Sequence, residues 1–217
     1  MSKTKDIRAA VEDELIFDPL VDASDIQVEN IGGNVALNGT VVSYPQYLGA
    51  VAAARRVAGV ISVHNYLQVV LPAGDVRDDP LLTTVANSAL ELNSIVSNGV
   101  EATAHSGHIT LTGTVRFDYQ RTAAETAVAA LTGVRNVKDR IEISWDAGPV
   151  DVTIAVQNAL DRHALISDDS DVVVFPDGNT VTLSGHVRTW AEHDAVVNAA
   201  WMTPAVYDVY DELVVTG

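Results

Sequence analysis

One seven-residue stretch constrains this chain more than any other, because it occurs three times. It reads Val35-Ala-Leu-Asn-Gly-Thr-Val41, then Ile109-Thr-Leu-Thr-Gly-Thr-Val115, then Val181-Thr-Leu-Ser-Gly-His-Val187. Apolar and polar residues alternate with a period of two, the pattern of a half-buried β-strand. A glycine sits inside each alternation (Gly39, Gly113, Gly185), where it marks a bulge or the close approach of another backbone. One such heptad is ordinary. Three, spaced 74 and 72 residues apart, restrict the fold to tandem copies of one supersecondary unit.

The flanks keep the same register. Gly59-Val60 and Gly133-Val134 follow their heptads at equal distance, and the third copy has Ala205-Val206. That alanine implies that the backbone freedom of glycine is dispensable there. A last strand then reads Val63-x-Asn65-x-Leu67-x-Val69, Val137-x-Asp139-x-Ile141-x-Ile143 and Val209-x-Asp211-x-Leu213-x-Val215. Before each heptad lies a short apolar alternation, joined to it by a turn containing Gly with Asn, Asp or Ser, which is a hairpin signal.

Helical patterns fill the rest. Ile7, Val11 and Leu15 share a face over about 6–17, and Asp18-Pro19 stops that helix. Ser43-Tyr-Pro-Gln46 and Thr189-Trp-Ala-Glu192 have the form of capping boxes. Phe117 occupies that position in the second copy, so Asp118 is expected to cap. Asp79-Pro80 reads as an N-cap and a proline at N1. Gly49 and Ala53, Ala123 and Ala127, Ala195 and Ala199 are small residues suited to laying a helix close to a sheet. The expected fold class is α+β: three tandem α-β-β-α-β units, each a three-stranded mixed sheet with two helices on one face. Their expected limits are 1–74, 75–147 and 148–217, with short linkers at 71–80 and Trp145-Asp-Ala-Gly-Pro149. Each unit carries a full set of elements, so removal of residues 1–74 is expected to leave a folded pair.

Composition narrows the function classes. With 47% hydrophobic residues the chain of 217 is that of a folded protein, and no apolar run reaches the roughly 20 residues of a membrane span. The basic start lacks the apolar core of a signal peptide. The expected location is therefore cytoplasmic, and periplasmic only if a leader has been removed. The absence of cysteine excludes disulfides, thiolate metal sites and thiol catalysis. The net charge of −16 is uneven. The three units hold five, six and two Lys or Arg against eight, ten and eleven Asp or Glu. Such a surface repels nucleic acid and, without divalent ions, anionic lipid; it also simply keeps a protein soluble.

Catalytic and ligand motifs are sparse. Among the six histidines, His105 and His108 flank a hairpin turn, and His186 follows a strand glycine. A transition-metal site needs three or four converging ligands, so no metal is expected. Asp168-Asp-Ser-Asp171 fails the calcium-loop pattern, since Val173 and Asn179 stand where Gly and Glu are required. Glu12, Asp13 and Glu14 point in different directions from a helix. There is no nucleophile elbow, no phosphate loop and no dinucleotide fingerprint. Neither an enzyme nor a cofactor is expected. Trp145, Trp190 and Trp201 lie near linkers and helix boundaries, where docking between units is their expected use. At the helix starts after the heptads the copies differ: Tyr44 and Tyr47, Tyr119, and Trp190. These four are expected to be partly exposed and to form a contact surface to a neighbouring unit or a partner. The face of each sheet opposite its helices carries Ala36, Asn38 and Thr40, then Thr110, Thr112 and Thr114, then Thr182, Ser184 and His186. It is expected to be solvated or used between units, with strand edges open to pairing.

The α-β-β-α-β unit, the heptad closing on Gly-x-Val, the following Gly-Val and the Val-x-Asn-x-Leu-x-Val finish together resemble the BON domain. This family occurs, often as tandem copies, in bacterial osmotic-shock and envelope-stress proteins and beside secretins and mechanosensitive channels. The resemblance covers nearly the whole chain. It implies a non-catalytic, stress-associated module that binds membrane phospholipid or another envelope component. The alternative is a cytoplasmic protein–protein or chaperone-like module with no lipid ligand. Neither reading includes nucleic acid, and the oligomeric state stays open.

Overall fold

A computed structural model of the chain describes residues 3–96, 98–144, 152–163, 166 and 171–217. The linker at 145–149, with Trp145, and Asp168–Ser170 lie outside the described residues. The first unit comprises α1 (Lys3–Phe17), β1 (Ile26–Ile31), β2 (Asn34–Val41), α2 (Tyr44–Arg56) and β3 (Ser62–Val69). The second comprises α3 (Asp79–Leu92), β4 (Val100–His105), β5 (His108–Val115), α4 (Asp118–Ala129) and β6 (Asn136–Ile143). The third comprises α5 (Val152–Asp161), β7 (Val173–Asp177), β8 (Thr180–Val187), α6 (Trp190–Trp201) and β9 (Asp208–Val215). In every unit the heptad strand is central, antiparallel to the strand before it and parallel to the strand after α2, α4 or α6. The fold is therefore α+β, with three three-stranded mixed sheets.

Alternation sorts the heptad onto two faces. Val35, Leu37 and Val41 are buried under the helices, as are Ile109, Leu111 and Val115, and Val181, Leu183 and Val187. The matching helix residues are Val11 and Leu15, Ala86 and Leu90, Val156 and Leu160, all buried. On α2 the residues lying on the sheet are Ala50, Ala53 and Ala54, so the close-packed face runs one residue further along than the Gly49–Ala53 spacing suggests.

The strand glycines have a direct cause. Gly39, Gly113 and Gly185 have φ of 119°, 130° and 119°. At each, the chain entering the hairpin crosses over the glycine, and a Cβ would collide with the carbonyl oxygen of Asp25, Gly99 or Asp171. The downstream position behaves differently from the sequence expectation. Gly59 and Gly133 have φ of 86° and 104°, and Ala205 adopts the same left-handed region at 70°. The turn requires that conformation in all three copies. Alanine accepts it at a cost of about 1 kcal/mol.

Two caps also differ. The N-cap of α3 is Asp78, whose side chain accepts from the Leu81 amide at 2.9 Å. That frees Asp79 to accept from the Ser106 and Gly107 amides in the β4–β5 turn, which hold its carboxyl below the usual range. The N-cap of α4 is Phe117 rather than Asp118. Gln120 Oε1 reaches back to the Arg116 and Phe117 amides, so Asp118 is left to pair with Arg121. Ser43 and Thr189 do cap, accepting from Gln46 and Glu192 amides at 3.4 and 3.1 Å.

Candidate functional site

The starts of α2, α4 and α6 are where the units meet. Tyr44, the first residue of α2, is 8% exposed and lies in the core of the second unit, with Tyr47 and Val69 packed against the same cluster. The sequence expectation of a partly exposed side chain does not hold for Tyr44, because the neighbouring unit covers it. Its ring stacks on Tyr47 at 5.6 Å, and burial pushes its phenol pKa up. Arg135 of the second unit donates to the Val69 carbonyl at 3.2 Å. Trp190, the first residue of α6, packs against the first core as well as its own. The Arg55 guanidinium, at the end of α2, lies 4.1 Å from its ring centroid. Arg121, in the first turn of α4, stands 4.2 Å from the Trp201 ring at the end of α6. Tyr119 stays 57% exposed, stacked on Phe117.

The first unit thus docks on the second, the second on the third, and the third on the first. Arg55 and Trp201 occupy equivalent repeat positions, each sixteen residues after its strand glycine. A start-to-end contact repeated in this way is heterologous, and here it closes on itself. Gly217 beside Gly59 brings the end of the third unit back to the first. Sequence reading placed the aromatic halves of these contacts on the right elements but missed Arg55 and Arg121. A cation over an aromatic face contributes roughly 0.5–2 kcal/mol, and no local pattern announces it.

Under each docking helix lies a polar pair, one half of which the sequence showed as the repeated Asn or Asp of the last strand. The Asn or Asp of the last-strand pattern faces the helices, with Oδ1 accepting from the amide two residues on: Asn65 from Leu67 at 3.1 Å, Asp139 from Ile141 at 2.8 Å, Asp211 from Leu213 at 3.0 Å. Its other atom meets one repeated helix position. Asn65 donates to the Tyr47 carbonyl at 3.4 Å, Arg121 Nε lies 3.5 Å from Asp139, and His193 Nε2 lies 2.8 Å from Asp211. His193 is buried, with Nδ1 3.0 Å from Asp194. Burial opposes its charged form, but hydrogen bonds and charge from Asp194 and Asp211 outweigh that and raise its pKa. Glu125 is also raised, by burial first and by Asp139 next.

The remaining candidates stay apart. His105 is 3.9 Å from Asp79 with its side chain 94% exposed, and His186 pairs with Asp171 at 2.9 Å. Among the described residues no three His, Asp or Glu side chains converge as metal ligands. Clefts of about 510 and 700 Å³ lie at matching places, between α1 and β1 and between α3 and β4. In the second, Asn87 clamps both backbone groups of Ala102, and Thr83 accepts from the Ala104 amide. The outer edge of β4 is therefore occupied rather than open to pairing. Pro176 blunts β7 at the position of Ala104, since it has no amide hydrogen. No helix among the described residues is long and apolar enough to cross a membrane. The central-strand residues on the open sheet faces, from Ala36 to His186, are half-buried or exposed.

No curated protein sequence is significantly similar to the chain. Among solved structures, the C-terminal domain of CdsD, a structural protein of the type III secretion system of Chlamydia trachomatis, is 16% identical with 98% of each chain covered and a TM-score of 0.27. A second CdsD structure is 15% identical, covering 96% of this chain and 91% of that one, at a TM-score of 0.26. The PrgH periplasmic domain is 9% identical, covering 94% and 99%, at 0.23. Scores this low carry no argument about this molecule. The BON domain family model matches residues 3–70, 78–144 and 150–217. Each match spans one α-β-β-α-β unit, and the chain belongs to the BON domain family as three tandem BON domains.

Proposed function

We propose that the protein is a non-enzymatic scaffold that holds three different open sheet faces in fixed relation and presents them to protein partners. One observation carries this reading: the variable helix starts are largely spent on contacts between units, so the variation left for partners lies on the sheets. At matching outward positions of the last strand stand His64 and Tyr66, Lys138 and Arg140, Tyr210 and Glu212. Rigid elements carrying unlike side chains suit a surface that sorts partners. The test is affinity capture from native lysate with the wild type and two variants. Tyr66→Ala with Tyr210→Ala is expected to lose partners that the wild type retains. Tyr119→Ala, at an exposed helix start, is expected to keep them. Identical capture by both variants would sink the reading.

A second reading, binding to a phospholipid surface, is favoured by a separate feature. Phe17 and Leu20 in the first unit, and Leu92 and Ile95 in the second, occupy matching turns after the first helix. They are 81%, 66%, 87% and 49% exposed. Paired apolar tips of this kind suit shallow insertion between headgroups. The acidic surface argues for zwitterionic lipid or calcium bridging. Flotation with phosphatidylcholine vesicles, with and without calcium, tests it: absence of flotation under both conditions removes the lipid reading. Association with osmotic or envelope stress, as in relatives of this family, is part of either proposal.

A further inference from the structure

The open sheet face of the third unit differs in kind from the other two. Phe175, Thr182 and Tyr210 are partners in register across β7, β8 and β9. Two aromatic side chains therefore flank a small threonine on the side away from the helices. With strands about 4.8 Å apart, the two aromatic backbones stand roughly 10 Å from one another. Phe175 is 55% and Tyr210 59% exposed. The adjoining rows place Asp177 and Asp208 on one side of this pair and Glu212 on the other.

These three carboxylates make no ion pair among the described residues. The two arginines of the unit do not neutralise them: Arg162 follows α5, and Arg188 lies beside Glu192. At the positions of Phe175, Tyr210 and Glu212 the second unit has Thr103, Lys138 and Arg140. The first has Glu29, His64 and Tyr66. Two exposed aromatics in one row with three carboxylates beside them are thus particular to the third unit; the first unit has the single exposed Tyr66 and the single carboxylate Glu29.

Resting on the scaffold reading, we propose that this face binds a cationic segment of a partner protein, an arginine- or lysine-bearing strand or tail. One guanidinium or ammonium group lies over Thr182 between Phe175 and Tyr210, and neighbouring cations reach Asp177, Asp208 and Glu212. Aromatic faces attract cations through their quadrupole, and carboxylates accept paired hydrogen bonds from guanidinium. A neutral apolar partner would bury three unpaired carboxylates. An anionic one would be repelled by a unit with eleven acidic and two basic residues.

The experiment is calorimetric titration of the full chain with an eight-residue peptide of alternating arginine and serine, at two salt concentrations. Phe175→Ala with Tyr210→Ala leaves the charge unchanged and is expected to weaken binding at least fivefold. Asp208→Asn with Glu212→Gln is expected to weaken it and flatten its salt dependence. Asp13→Asn with Glu91→Gln removes two charges from exposed helix positions of the other units and is expected to leave affinity within twofold. All these positions are exposed, and thermal melts check that each variant folds. Binding unaffected by loss of both aromatic rings would overturn the proposal, as would affinity that follows total charge wherever it is removed. Ring-dependent binding to phosphatidylcholine vesicles with no binding of the peptide would replace the polypeptide by a lipid headgroup. The titration needs no native partner. Ring-dependent peptide binding alongside lysate capture insensitive to the sheet variants would therefore sink the scaffold reading alone.

Discussion

At the residue scale, a strand glycine and a turn glycine have positive φ for reasons of different weight. Gly178 has φ of 62° with open space around it, so Gly178→Ala carries only backbone strain, about 1 kcal/mol. Gly113 has φ of 130° with the Gly99 carbonyl where a Cβ would stand. Gly113→Ala therefore forces the hairpin entrance apart, and Gly113→Val does so further. The expected loss is about 3 kcal/mol, read as a fall in thermal midpoint several times that of Gly178→Ala. Equal shifts for the two alanine variants would mean that the crossing chain yields freely. The recurrence of these glycines was legible in the sequence. The close approach of another backbone was one of the two reasons that the sequence offered; which backbone approaches was not legible, because the colliding carbonyl comes from a residue that the heptad does not contain.

Among the elements, α6 and β9 carry a titratable contact. His193 sits between Asp194 of α6 and Asp211 of β9, with Trp190 at 4.8 Å and Arg55 of α2 over that ring. Its pKa is raised above the ordinary 6.5 in the folded protein. A raised histidine binds its proton more tightly when folded, so its stabilisation is complete below about pH 6.5 and is lost as pH rises through the folded value. Thermal stability is expected to fall over that interval in the wild type. His193→Gln is expected to reduce this slope and to be least stable relative to wild type on the acid side. Parallel pH profiles would remove His193 as its source. The Asp of β9 was visible as part of a repeated pattern, whereas its histidine partner was not. Residues 193 and 211 meet only after the chain has passed through a turn and reversed.

For the whole molecule, closure of the three units changes what a fragment can do. A full set of elements in each unit argues for an independent pair after removal of residues 1–74. Contacts between units bear on how stable that pair is, because Tyr44, Tyr47 and Val69 help to cover the second core. The 75–217 fragment is expected to melt below the intact chain and to expose apolar surface to a hydrophobic dye. Tyr44→Ala in the full chain is expected to cost about 3 kcal/mol, while Tyr119→Ala, largely exposed, costs little. A fragment as stable as the full chain would show that the contacts between units add nothing.

The number of units, the order of their elements, and the inward and outward faces of each strand follow from the sequence alone. They rest on periods of two and on spacings within one stretch of chain. The burial of Tyr44 in another unit was decided by tertiary structure. So were the cations over Trp190 and Trp201. Each depends on a neighbour supplied by a distant part of the chain, and a periodic pattern records which face a residue takes, not what lies against it.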